Sequence, residues 1–257
     1  MTDDITRPLF RQRGNRASPN YLHETMFTKS ARFYDAIYAF KEYESEAELL
    51  HAMIQARVPA ATTMLDVACG TGLHLQHLTP RYTAEGLDLD ATMLEIARQR
   101  CPGVPFHEGD MIDFDLGRTF DVVLCLFSAI AYAKTVERMQ QAVRTMARHL
   151  RPGGVLIVEP WLTPEAFTAG HLSTRFVDEP DLKIARMNSS SVEGTLSIID
   201  FHYLVGTPEG FSYFTERHET GLFTHDEYLD AFRAAGLSVA FDLEGLMGRG
   251  LYIGMAQ

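Results

Sequence analysis

The chain has 257 residues, 46% of them hydrophobic, which suits one α/β domain with a small insertion. Its net charge of −11 repels polyanions, so no broad nucleic-acid face is expected. Cys69, Cys101 and Cys125 match neither a disulfide framework nor a zinc site, and no apolar run is long enough to span a membrane. Reduced thiols in a cytoplasmic protein are the expectation.

Residues 1–28 read as a flexible arm with Arg7, Arg11, Arg13 and Arg16. It is either solvated or folded over a site or a neighbouring subunit. From Ser30 to Arg57 apolar residues recur at helical spacing (Phe33, Ile37, Phe40, then Ala47, Leu50, Ile54), which predicts a helix that Pro59 ends. Strands and helices then alternate. Strands are expected at 63–68, 84–89, in "VPFHEGD", at 120–127 and at 154–160, with helices after Gly72, over 91–100 and over 134–150. The fully apolar "FDVVLCLF" marks a parallel strand buried on both faces, and Arg151-Pro152-Gly153-Gly154 reads as a turn. This alternation implies a parallel sheet with helices on both sides.

The rhythm breaks after Trp161. Residues 173–221 show period-two alternation interrupted at Glu193-Gly194 and Pro208-Glu209-Gly210, which predicts an inserted antiparallel β cap. Thr224 and Glu227 form a capping box for a helix to Ala235, a reading that explains His225 as part of a helix start. Two last strands, "LSVAFDLE" and "GLYIGMA", are joined by "GLMGRG" in a hairpin.

Chemistry concentrates at Asp66-Val67-Ala68-Cys69-Gly70-Thr71-Gly72, where the first strand turns into a helix. Glycines there admit a ligand close to the backbone. Asp88 ends the second strand, 16 positions after Gly72, where a carboxylate reaches ribose hydroxyls. A third glycine is missing because Leu75 takes its place, which disfavours a dinucleotide. Asp110 and Met111 follow the third strand and suit an adenine amino group and ring. Together Asp66, Gly70, Gly72, Asp88 and Asp110 point to S-adenosylmethionine (SAM). Taken singly, Asp66 and Asp110 also read as loop or turn caps. His74 and His77 are spaced like a metal pair, but no further ligands join them, so no metal is expected.

From about Tyr34 onward the chain resembles the TDP-aminosugar N,N-dimethyltransferases of the desosamine and mycaminose type. The resemblance is carried by "LDVACGTGLHLQHL", "LEIARQRCPGVPFHEGDMIDFDLGRTFD", "LFTHDEY", "AFRAAGLSV" and, more specifically, "VEPW" and "GRGLYIG". It implies a Rossmann-like seven-stranded α/β sheet with a C-terminal antiparallel hairpin: a SAM-binding core over 29–160, a cap over 161–221 and the rest of the core over 222–257. It also implies SAM contacts from Tyr34, Tyr43, Ala68, Asp88, Asp110, Met111 and Leu126. Arg249 would meet the diphosphate of a nucleotide-sugar, Glu159 and Trp161 would line the acceptor cleft, and the enzyme would be a homodimer. Two positions depart from the family pattern. Met26 stands where a tyrosine is expected, and Tyr132 stands where a histidine is expected. Tyr21 is a substitute for the lost hydroxyl if the arm folds back.

Methyl transfer mainly needs alignment in a dry cavity. Tyr132 is the candidate to hold or deprotonate the acceptor, against a reading as a cleft-wall tyrosine, and Arg249 the candidate to orient it. Other readings are an O- or N-methyltransferase for another small metabolite and a SAM-binding protein without turnover. A nucleic-acid methyltransferase would need a basic face or a D/N-P-P-Y motif, and neither is visible.

Overall fold

The computed structural model describes residues 29–257. The arm, with Arg7, Arg11, Arg13, Arg16, Tyr21 and Met26, lies outside the described residues. In chain order the strands are β1 (Thr63–Val67), β2 (Thr83–Asp88), β3 (Phe106–Glu108), β4 (Phe120–Cys125), β5 (Leu150–Val158), β6 (Leu172–Glu179), β7 (Leu182–Glu193), β8 (Leu196–Thr207), β9 (Gly210–Gly221), β10 (Leu237–Asp242) and β11 (Leu251–Ala256). The helices are α1 (Tyr34–Ile37), α2 (Tyr43–Arg57), α3 (Leu73–Leu78), α4 (Ala91–Arg100), α5 (Val136–Arg148) and α6 (His225–Ala234).

Seven strands form one sheet in the order β10-β11-β5-β4-β1-β2-β3. β1 to β5 pair in parallel, and β11 runs antiparallel to both β5 and β10. Successive residues of each strand feed opposite faces. Met64, Val122 and Leu124 pack against Leu50, Ile54, Leu75 and Leu78 of α2 and α3. Leu65, Val123 and Leu156 pack against Met139, Val143 and Phe232 of α5 and α6. The expected α/β layers, the terminal hairpin and the capping box of Thr224 with Glu227 are all present.

Two local expectations are corrected. The single helix over Ser30–Arg57 is broken. A 3-10 turn at Ala31–Phe33 runs into α1, the chain leaves helix at Tyr38, and α2 starts at Tyr43. The break lets Lys41 turn inward onto Glu46 of α2, an arrangement a continuous helix would not allow. The turn expected at Arg151–Gly154 is a bulge inside β5. Phe120 pairs with Leu150 and Val122 with Val155, so four residues of β5 loop out opposite one of β4. Gly153 takes φ 77° there.

The second sheet is the meander β6-β7-β8-β9. Val177, Ile184, Phe201, Tyr203 and Val205 on its inner face cluster with Phe33 and Ile37. Its outer face exposes Leu172, Phe176, Met187, Leu204, Phe211 and Tyr213. No helix among the described residues is long and apolar enough to cross a membrane.

Candidate active site

Strand order reverses between β1 and β4, which opens a crevice at the carboxyl edge of the sheet. After β1 the backbone enters the left-handed region at Ala68 (φ 59°) and Gly70 (φ 55°). Ala68 carries a Cβ in that conformation, a strain that clusters at ligand sites. Asp88 fixes the loop. Its Oδ2 accepts the Gly70 amide at 2.8 Å and its Oδ1 accepts the Asp90 amide at 2.9 Å. Burial raises the Asp88 pKa against the pull of those amides.

Six of the expected cofactor residues line one cleft: Tyr34, Tyr43, Asp66, Ala68, Gly70 and Leu126. Thr71, His74 and Phe127 join them without having been singled out for it. Asp66 is 2% exposed and accepts no hydrogen bond from the described residues. Burial, with the charge of Asp88, pushes its pKa up to about 8. Burial also raises the phenols of Tyr34 and Tyr43, which therefore stay neutral. Behind them, Glu46 accepts from Lys41 Nζ at 2.7 Å and sits 2.7 Å from His74 Nε2. Burial raises the Glu46 pKa, but the bonds from His74 and Lys41 outweigh it and hold the carboxyl below its usual range. His74 thus has a carboxylate partner and stays beside Tyr43, ring centres 4.9 Å apart.

The other expected residues take different places. Gly72 caps α3 at φ 77°, and a Cβ there would lie 3.3 Å from that of Ala97, so its role is close packing. Asp110 accepts the Ile112 amide at 3.0 Å and meets Arg138 at 3.4 Å, while Met111 packs on the core. Asp88 meets the cleft through the Gly70 amide, while Gly72, Asp110 and Met111 lie beyond the stretch of wall formed by Tyr34, Tyr43, Asp66, Ala68, Gly70 and Leu126.

The far wall is built where β4 ends. Phe127 and Ser128 have φ 51° and 64°, and a 3-10 turn, Ala129–Ala133, follows. Glu159, fully buried, holds this turn. Its Oε2 accepts the Phe127 amide at 2.7 Å and its Oε1 accepts Arg249 Nη2 at 2.8 Å. Glu159 therefore supports the wall from behind, and the Arg249 guanidinium lies 5.7 Å from the Phe127 ring centre and 5.9 Å from that of Trp161. Trp161 Nε1 donates to Ser197 Oγ at 3.0 Å and so ties core to cap. Tyr132 Oη is 2.7 Å from His218 Nδ1, and His218 Nε2 is 3.8 Å from Glu216 Oε2. Glu216 also accepts from Ser30 Oγ at 2.6 Å and from the Ser30 and Lys29 amides. Burial raises the Tyr132 phenol well above its usual value. It also raises Glu216, but hydrogen bonds from His218 and Ser30 prevail and lower it. No sequence signal marked His218 or Glu216, because strand register alone brings them under Tyr132.

Comparison with known proteins adds to this geometry. A methyltransferase-domain family model matches residues 64–154, from β1 into β5. Over 229 residues the chain is 44% identical to the dTDP-3-amino-3,6-dideoxy-alpha-D-glucopyranose N,N-dimethyltransferase of Streptomyces fradiae, covering 88% of this chain and 90% of that one. This chain belongs to the SAM-dependent aminosugar N,N-dimethyltransferases. The methyltransferase is also 40% identical to the dTDP-4-amino-2,3,4,6-tetradeoxy-D-glucose N,N-dimethyltransferase of Saccharopolyspora spinosa, over 88% of this chain and 92% of the relative. Its fold matches the SAM-bound structure of CalS10, an amino pentose methyltransferase from Micromonospora echinaspora, with TM-score 0.81 and 39% identity over 94% and 100% of the two chains. SAM is the methyl donor of this methyltransferase.

Proposed function

We propose that the protein methylates the amino group of a nucleotide-linked amino sugar, with TDP as the nucleotide. Identity to the Streptomyces fradiae enzyme carries the reading, because it extends over the cap as well as the cofactor core. The cleft fits the cofactor. Asp66, buried without a hydrogen-bond partner among the described residues, suits an ammonium, and the strained loop at Ala68 and Gly70 leaves its backbone open to a ligand. When bound, SAM supplies a methyl group on a cationic sulfur.

The residues around it orient, exclude water and move one proton. Tyr34 and Tyr43, both neutral, close the cleft from the N-terminal side with Leu126 below. Arg249, fixed by Glu159, orients the acceptor over Phe127 and Trp161. Tyr132 Oη accepts a proton from the methylated ammonium and passes its own to His218 Nδ1, leaving the amine neutral for a second methylation. Glu216 balances the imidazolium so formed. Asp110 and Met111 would reach the adenine if the loop after β3 closes inward.

The exposed apolar face of the cap, with Phe211 84% exposed, supports a homodimer formed across that sheet, and light scattering at a monomer's mass would refute it. Three free thiols favour a cytoplasmic setting. The main test is calorimetric titration with TDP-amino sugars in the presence of S-adenosylhomocysteine, with mass analysis of turnover. Tight cofactor binding without any response to these sugars would remove the acceptor assignment.

A further inference from the structure

The break between α1 and α2 turns Lys41 inward, and its side chain has no exposed surface. An ammonium carries three hydrogens, and all three find acceptors here. Glu46 Oε1 and Oε2 accept at 2.7 and 2.9 Å, and Met247 Sδ, on the loop between β10 and β11, accepts at 2.9 Å. The same ammonium lies 4.3 Å from the ring centre of Phe127 and 5.1 Å from that of Tyr43. Glu46 Oε2 lies 2.7 Å from His74 Nε2. Tyr43, His74 and Phe127 all line the cofactor cleft, yet they come from α2, α3 and the turn after β4. One buried pair therefore touches three parts of the cleft wall that are far apart in sequence.

A buried ion pair adds little to stability by itself. Taking both charges out of water costs about as much as their attraction returns, and a well-packed apolar pair of the same volume is often equally stable. Packing alone would not need charge at this place. What charge supplies is direction. An ammonium fixed by three acceptors holds its charge against two ring faces, and a carboxylate fixed by that ammonium sets the imidazole beside it. With no exposed surface of its own, Lys41 acts only through these neighbours.

We infer that Lys41, with Glu46, is a positioning residue for the methyl donor: the pair sets Tyr43, His74 and Phe127 in the orientation that binds SAM. The assignment concerns the donor side alone and is independent of which amine accepts the methyl group.

The test sets cofactor affinity against stability in the full chain. S-adenosylhomocysteine is the calorimetric probe, and thermal melting of the free protein reports the fold. Lys41→Met leaves the Glu46 carboxylate buried with His74 as its remaining partner, so melting temperature and affinity should both fall. Lys41→Met with Glu46→Leu removes the whole pair. The melting temperature should then return close to that of the wild type, while S-adenosylhomocysteine still binds about tenfold more weakly. A role in the fold alone predicts that affinity follows stability, so wild-type affinity in the double variant would overturn the inference. If the double variant does not regain its stability, Met247→Leu decides. That change keeps the volume and removes the sulfur acceptor, so melting should hold and affinity should fall about threefold. Wild-type affinity in Met247→Leu would then overturn the inference.

Discussion

The cofactor half and the cap half solve recognition in opposite ways. The cofactor half uses backbone: a loop of unusual φ angles pinned by one carboxylate, Asp88, over a sheet edge. The cap half uses side chains from different strands, such as Ser197, Glu216 and His218, brought together by register. Backbone recognition is local in sequence, and register recognition is not. The first half tolerates few changes within a short segment, whereas the second spreads its determinants over separate strands, β8 and β9.

The hinge between these halves should be the most sensitive place to break the contrast. Glu159→Ala removes a buried acceptor from the Phe127 amide and leaves Arg249 with no counter-charge. A loss of about 3 to 5 kcal/mol in unfolding free energy is expected from denaturant titration. A loss below about 1 kcal/mol would mean that the turn after β4 is held by something else.

Asp66→Asn sharpens the cofactor side. The Asp66 carboxyl of the free protein, pushed up to about 8, is protonated at lower pH, and only its ionised form attracts an ammonium. SAM affinity should therefore rise with pH up to about 8, and Asp66→Asn should flatten that rise and weaken binding about tenfold. Stability has the opposite slope. A folded pKa above the unfolded value near 3.9 stabilises the free protein at low pH, and that contribution is lost as pH climbs toward 8. Asp66→Asn should then melt higher than wild type at pH 8.5. An unchanged pH dependence in either assay refutes the assignment.

His218→Phe sharpens the cap side with a smaller effect. The second methylation should slow about tenfold while the KM for SAM holds, so monomethylated product accumulates. Tyr132→Phe combined with it should add little, because the two groups act as a unit. Equal slowing of both methyl transfers would place His218 in structural support alone.

The same contrast explains what was legible in the sequence. The layers, the apolar β4, the capping box and the loop at Asp66–Gly72 each rest on residues a few positions apart, so periodicity and turn chemistry exposed them. The break at Tyr38–Glu42 was hidden because Phe40 and Ala47 keep helical phase across it, and only the inward turn of Lys41 reveals it. The bulge in β5 was read as a turn because Pro-Gly-Gly suits either, and pairing with β4 decides between them. Glu159 was expected on the wall, but its chemistry depends on Phe127 and Arg249, which lie far from it in sequence. His218 and Glu216 look like ordinary strand residues until β9 is laid beside β8.

The stretch from Ser30 to Tyr38 is moored at both ends of this machine. Asp35 accepts from Thr71 Oγ1 at 2.7 Å and binds Arg100, while Ser30 holds Glu216 and Phe33 stacks on Phe214 at 6.4 Å. With Tyr34 lining the cleft, release of spent cofactor is expected to wait on this strap. Throughput would then be paced by how often the strap slips its moorings, and a compound that wedged it against the cap would stall exchange without occupying either ligand's seat.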